Sequence, residues 1–177
     1  TSFTIILSES RVEESLALLG LSPEDIDIVL MTHMHHDHSG GLTYVNDQGK
    51  LVSKYPNAKI IVNDVEWYEM RNPNDRTRGT YLRENWEPIQ DQVTTFSEYI
   101  NVIPEIQMIH TSGHSNGHSI ILLKQGKDTM IHMGDLMLSH VHRNPLWVPA
   151  VDDYPMKSIL AKKKWLRQAF ENHYKFF

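Results

Sequence analysis

Thr32-His33-Met34-His35-His36-Asp37-His38-Ser39-Gly40-Gly41 places four histidines and one carboxylate in six consecutive positions. The run before it, Ile26-Asp27-Ile28-Val29-Leu30-Met31, is apolar and partly β-branched, which predicts a buried strand ending where the histidines begin. A chain leaving a strand in extended form keeps the side chains of residues i and i+2 on one side, so His33 and His35 can face the same ion. Asp37 and His38 follow where the chain must turn ahead of Gly40-Gly41, and project from a different part of the backbone. A catalytic zinc takes about three protein ligands and keeps one position open for water. Four ligand-type residues, with more to come from elsewhere, therefore fit two metals better than one. The competing reading is a histidine-rich surface loop or an affinity tag. A tag would not be internal, interrupted by Asp37 and preceded by an apolar strand.

Composition narrows the chemistry. The 177 residues suit one domain, expected to span 1–177, with a polar helical insert around 71–92. Seventeen Lys plus Arg stand against 22 Asp plus Glu, a formal net charge of -5, so no sequence-wide basic field invites nucleic acid. Lys162-Lys163-Lys164, the one basic run, lies in a helical pattern and is expected to be a solvated face. With no cysteine, disulfides, thiolate zinc sites and cysteine nucleophiles are excluded together, and any metal must be held by His and carboxylate. No apolar run is long enough to span a membrane and no secretory signal is visible, which makes a cytoplasmic location the default expectation. The chain starts at Thr1 on the apolar run Phe3-Thr4-Ile5-Ile6-Leu7 and finishes on Lys175-Phe176-Phe177; both ends are expected to be cut, the C-terminal one inside a strand.

Along the chain, Ser10-Arg11-Val12-Glu13 matches a capping box, and Val12, Leu16 and Leu19 follow at helical spacing before Gly20, predicting a scaffold helix. Ser22-Pro23-Glu24-Asp25 restarts a helical turn. After Gly41, a short helix is expected over Leu42 to Val45, then a turn at Asn46-Asp47-Gln48-Gly49. Ala58 to Val62 predicts a strand, and Asn63 caps a helix over Asp64 to Met70. Tyr81, Leu82 and Trp86 are expected to pack the insert against the core. Val102 to His110 holds a strand interrupted by Pro104. In Thr111-Ser112-Gly113-His114-Ser115-Asn116-Gly117-His118, two glycines allow tight turns and two histidines stand four apart, one of them expected to be a ligand. Ser119 to Leu123 and Thr129 to Met133 form a hairpin about Gln125-Gly126-Lys127-Asp128 and lead into Gly134-Asp135. His140, His142 and Trp147 come directly after and are candidates for touching substrate. From Pro155 to Tyr174, Met156, Ile159, Leu160, Leu166 and Phe170 recur at helical spacing, and His173 at the far end is not counted as a ligand.

The order His-x-His-x-Asp-His, after a strand and before Gly-Gly, resembles the signature of the metallo-β-lactamase superfamily of hydrolases. Thr111 to His114 resembles that superfamily's Thr-x-Gly-His loop, and Gly134-Asp135 stands where it places an aspartate between two metals. The resemblance implies an α/β fold, an αββα sandwich, here incomplete, lacking N-terminal strands and the last C-terminal strand. It also implies one metal on His33, His35 and His114, and a second on Asp37 and His38 with Asp135 between them. His118 is then expected to steady the loop by hydrogen bonding. A further histidine ligand would come from a strand end beyond Phe177. Asp25-Ile26-Asp27, Glu84-Asn85-Trp86-Glu87-Pro88-Ile89-Gln90, Asn144-Pro145-Leu146-Trp147-Val148 and Asp152-Asp153-Tyr154-Pro155-Met156 resemble the YtnP-type quorum-quenching lactonases more narrowly. That branch implies two Zn²⁺, with iron, manganese or cobalt also able to bind. It implies a small-molecule lactone or ester substrate, opened by a metal-bridging hydroxide with Asp37 carrying the proton to the leaving oxygen. Organophosphate or thioester hydrolysis, and a non-catalytic metal-binding fragment, are the alternatives.

Overall fold

The computed structural model describes residues 10–177; the Phe3 to Leu7 run lies outside them. Strands β1 (Ile28–Leu30), β4 (Lys59–Asn63) and β5 (Val93–Phe96) form a parallel sheet in the order β1-β4-β5. A hairpin of β2 (Thr43–Val45) and β3 (Leu51–Ser53) stands apart from it. The second sheet is an antiparallel meander of β6 (Tyr99–Ile103), β7 (Ile106–His110), β8 (Ser119–Gln125) and β9 (Asp128–His132), with β10 (Lys175–Phe176) pairing parallel to β9. Among the described residues four α-helices accompany them: α1 (Val12–Ala17), α2 (His36–Ser39), α3 (Asp64–Arg71) and α4 (Pro155–Glu171).

The period of two along the central strands explains the layering. Ile60 and Val62 of β4 point to one side, where they join Met31, Met34, Trp67 and Met70 under α3. Ile61 points to the other side and meets Phe96 and Met108, with Ile121 packed against them, so this cluster glues the two sheets together. In β8 the alternation repeats: Ile120 and Leu122 face away from the first sheet and join Ile131, Leu136, Ala161 and Trp165 under α4. The order helix, sheet, sheet, helix is the expected αββα sandwich. Each layer buries an apolar face that it could not bury alone.

Several local expectations are corrected. Thr43 to Val45 is strand, not helix: the helical path ends in a turn at Gly40–Leu42, and Thr, Tyr and Val then suit a pleated hairpin about the Asn46 to Gly49 turn. Among the described residues the strand before the histidines is three residues long and stands at the edge of its sheet, half-buried rather than buried. The capping box forms at Ser22, whose backbone N–H and hydroxyl both donate to Asp25 Oδ2, and not at Ser10, since Arg11 occupies the N-cap position of α1. That helix buries none of its residues. As expected, Pro104 interrupts the Val102 to His110 stretch, in the turn between β6 and β7. Along α4 the buried face is Ser158, Ala161, Lys162, Trp165 and Ala169, whereas Met156, Leu160 and Phe170 are exposed. Lys162, read from sequence as part of a solvated face, is 0% exposed. Small residues let α4 lie close to the sheet, and Trp165 supplies the volume.

Candidate metal centre

The ligand loop follows from how β1 ends. Residues 31–35 run without regular secondary structure, bending at Thr32, and at His35 (φ -56°, ψ 149°) the chain turns into the single helical turn α2. His33 and His35 thus come from the segment before the helical turn and meet in one ligand group, while Asp37 and His38 project from helical backbone. Ser39 locks the change of direction, its hydroxyl donating to the carbonyls of Met34 and His35 at 3.0 and 3.1 Å. Ser119 N–H, at the start of β8, donates to Thr32 O at 2.8 Å, which brings the loop before β8 against the loop after β1.

Two groups of potential ligands result, His33–His35–His114 and His33–His38–Asp135, each with its ligand atoms within 4.8 Å of one another. His33 is 0% exposed and its Nε2 has no hydrogen-bond partner among the described residues. Burial holds its pKa well below the ordinary histidine range, and the neighbouring histidines push the same way, so it is neutral. His35 Nδ1 and His114 Nε2 approach to 3.0 Å. His114 Nδ1 lies 2.9 Å from Asp152 Oδ1; with the proton there, Nε2 presents a lone pair toward His35. Buried ring nitrogens that converge, with His33 Nε2 and His35 Nε2 left without a hydrogen-bond partner among the described residues, are a poor polar core and a good cradle for a divalent cation. The residues present fit a metal.

The second group opens to solvent. His38 Nε2 lies 3.2 Å from Asp135 Oδ2, and that hydrogen bond raises the His38 pKa against the opposing effect of burial. Burial would push Asp135 up, but the His38 bond and the surrounding histidines outweigh it and hold the carboxyl below its usual range. Asp135 Oδ2 also stands 3.3 Å from His114 Nε2 and 3.9 Å from His33 Nε2, so it faces both groups. Asp37 lies outside both; its Oδ2 is 3.6 Å from His38 Nε2 and its side chain is 63% exposed. A cleft of about 540 Å³ adjoins His38 and Asp135 and is lined by Leu138, His140, Phe176 and Phe177 among others. His140 therefore borders the cleft. His142 does not line it and its Nδ1 is 3.2 Å from Ser139 Oγ; Trp147 lies elsewhere on the surface, exposed.

His118 is buried and accepts from the Asp135 backbone N–H at Nε2, 3.2 Å, which leaves the proton on Nδ1 to donate to Thr111 Oγ1 at 3.0 Å. The Thr111 hydroxyl in turn donates to His118 O. This chain of bonds sets the position of Asp135. A Cβ at Gly134 would come within 2.6 Å of His118 Nε2, and Gly134 has φ +52°, so glycine is required on both counts.

Sequence reading missed the carboxylates behind the histidines. Glu66, 0% exposed in α3, accepts from Met34 N at 2.8 Å, Tyr81 Oη at 3.0 Å, Ser115 Oγ at 2.6 Å and Gly117 N at 3.1 Å. One side chain thus ties together both loops that carry the inner histidines. A Cβ at Gly117 would lie 2.1 Å from Glu66 N, so the loop reaches α3 only as glycine. Asp153 Oδ2 lies 3.5 Å from His35 Nε2, and Arg76 Nε donates to Asp153 Oδ1 at 2.9 Å. The signal for Glu66 was its place beside Trp67 on the apolar face of a short helix; for Asp152 and Asp153 it was an acidic pair just before a helix.

Comparison with known proteins agrees with this geometry. The profile of the metallo-beta-lactamase superfamily matches residues 3–170. An N-acyl homoserine lactonase of Bacillus cereus is 29% identical over 123 residues, 70% of this chain and 43% of its own length. A hydroxyacylglutathione hydrolase of Prochlorococcus marinus is 28% identical over 115 residues, 64% of this chain and 37% of its own. A probable metal-dependent hydrolase from Staphylococcus aureus superposes with a TM-score of 0.90 at 40% identity, covering 97% of this chain and 60% of that one. A dizinc quorum-quenching lactonase superposes with a TM-score of 0.83 at 21% identity, a likeness of fold. The chain spans about two fifths of the length of the curated relatives and about three fifths of the solved ones. With the profile covering nearly the whole chain and both loops of histidines in place, this protein belongs to the metallo-beta-lactamase superfamily.

Proposed function

We propose that this chain carries the metal-binding core of a hydrolase that opens the lactone ring of N-acyl homoserine lactones. The observation that carries the reading is the pair of convergent groups sharing His33, one buried and one facing a cleft; the similarity to N-acyl homoserine lactonases supplies the substrate class. His33, His35 and His114 would hold one metal, and His38 and Asp37 a second, with Asp135 between them. Two bound divalent ions, zinc first, supply Lewis acidity toward the carbonyl oxygen and make a hydroxide nucleophile available near neutral pH.

The side chains do the rest. Asp135, fixed by its own backbone bond to His118, holds the two groups at a constant separation. Asp37, on the solvent side and close to His38, takes the proton that the attacking water gives up and returns it to the ring oxygen as the carbon–oxygen bond breaks. His140, on the rim of the cleft, contacts the substrate. Replacing Asp37 by Asn should spare much of the metal binding and depress turnover about 100-fold or more; unchanged turnover would remove Asp37 from the proton path. A second reading, thioester hydrolysis, has support in the likeness to a hydroxyacylglutathione hydrolase. Rates on an acyl homoserine lactone, a thioester and a phosphotriester, measured side by side, decide between them. Metal bound with none of the three hydrolysed would instead favour a non-catalytic metal-binding module.

A further inference from the structure

Residues 144–154 run from the turn at His140–Arg143 to α4 without regular secondary structure. This strap nevertheless presents Asp152 to His114 and Asp153 to His35. Its aspartate end is tied to the histidine loop, Asp153 N–H donating to His114 O at 2.9 Å and Tyr154 N–H to Gly113 O at 3.0 Å, and the stretch before that end is held by the contacts other elements make with it. On the outside, Arg76 Nη2 donates to Asp152 O at 2.8 Å. On the inside stands Lys162, 0% exposed, whose Nζ donates to Trp147 O at 2.6 Å, the one hydrogen bond it makes among the described residues. Burial holds this ammonium below the usual lysine range, with the nearby Asp152 charge opposing that effect. An apolar side chain of similar length would fill the same space without the cost of desolvating a charge. What distinguishes lysine here is the carbonyl it holds.

We propose that Lys162 is a positioning residue for the inner histidine group: by pinning the Trp147 carbonyl it fixes the strap whose Asp152 orients His114. The inference rests on the reading that His33, His35 and His114 hold a metal. It differs in sign from a plain charge effect. Removing a buried cation near the site would tighten binding of a dication if charge alone mattered, whereas loosening the strap weakens binding because the His114 imidazole loses its orientation.

The test is Zn²⁺ affinity, measured by competition with a chromophoric chelator on the wild-type chain, Lys162→Met, Lys163→Met, Asp152→Asn and the Lys162→Met/Asp152→Asn pair, with circular dichroism to confirm folding. Lys162→Met should weaken the tight zinc site about tenfold or more, while Lys163→Met, exposed one residue away, leaves it unchanged. In the double variant the two losses should fall short of adding, because both act through one strap. Unchanged or tighter zinc binding in folded Lys162→Met overturns the proposal, as do fully additive losses. Should Lys162→Met fail to fold, Lys162→Arg decides: it keeps both donor and charge, so retained affinity supports the proposal and lost affinity in a folded chain refutes it. Absence of zinc binding in the wild-type chain would refute the metal-centre reading itself, a result distinct from any of these.

Discussion

The inner and outer ligand groups share His33 and differ in almost everything else. The inner group is buried, its imidazoles face carboxylates of other elements, and Glu66 and the strap brace its loops from opposite sides. The outer group is completed by His38, with a side chain 32% exposed, and Asp135, next to an open cleft. Packing fixes the first; the second rests on a single helical turn at His38 and on the His118 bonds that set Asp135. The proposed function asks for a site that binds a metal firmly and a site that admits substrate, which have opposite needs, and the two groups differ in the matching direction around a common histidine.

Breaking the brace behind the inner group should have the largest effect. Glu66→Ala leaves Met34 N–H, Gly117 N–H and two hydroxyls without their acceptor, and should cost about 3–5 kcal/mol in urea-induced unfolding. His114→Ala keeps the fold and should lower zinc affinity of the tight site more than about 100-fold, whereas His38→Ala should change that same affinity less than about threefold. If both substitutions weaken the tight site equally, the two groups are not distinct. Asp152→Asn, which weakens the hold on His114 Nδ1, should lower affinity about tenfold by the same measurement.

The smallest effect concerns pH. Glu69, buried beside Glu66 and Asp153, has its pKa raised by burial first and by those charges second, against the hydrogen bond that Tyr154 Oη donates at 3.0 Å. A carboxyl whose folded pKa is raised makes no unfavourable contribution below its unfolded value, and costs stability progressively as pH rises through the folded one. Glu69→Gln should therefore match the wild type near pH 4 and become the more stable of the two by about 1 kcal/mol at most near pH 8, read as thermal midpoints. A gap that widens on acidification would contradict the assignment.

The ligand loops were legible because their chemistry is local. An extended segment feeding a turn, four histidines and two glycines can be read from neighbours in the chain, and Gly134-Asp135 from the strand before it. The braces were not legible, because they are long-range. Glu66 meets Met34 across 32 positions and Ser115 across 49, and nothing within its own helix states that partnership. Lys162 misled for the related reason that a basic run looks the same whether or not one member turns inward to a carbonyl. The apolar pattern of α4 misled too: the helix packs through Ala161, Ala169 and Trp165, and its Met156, Leu160 and Phe170 face outward. The Thr43 to Val45 strand was lost to the expectation of a short helix over Leu42 to Val45 after the paired glycines, although β-branched residues argued for a hairpin.

The measurement that bears most directly on the centre is a zinc-binding isotherm of the 177-residue chain, repeated on His35→Ala and His38→Ala. The account predicts a tight binding event in the wild type that His38→Ala retains and His35→Ala abolishes. A tight event that survives in His35→Ala, or that His38→Ala removes, would contradict the claim that the buried three-histidine group is the principal metal site.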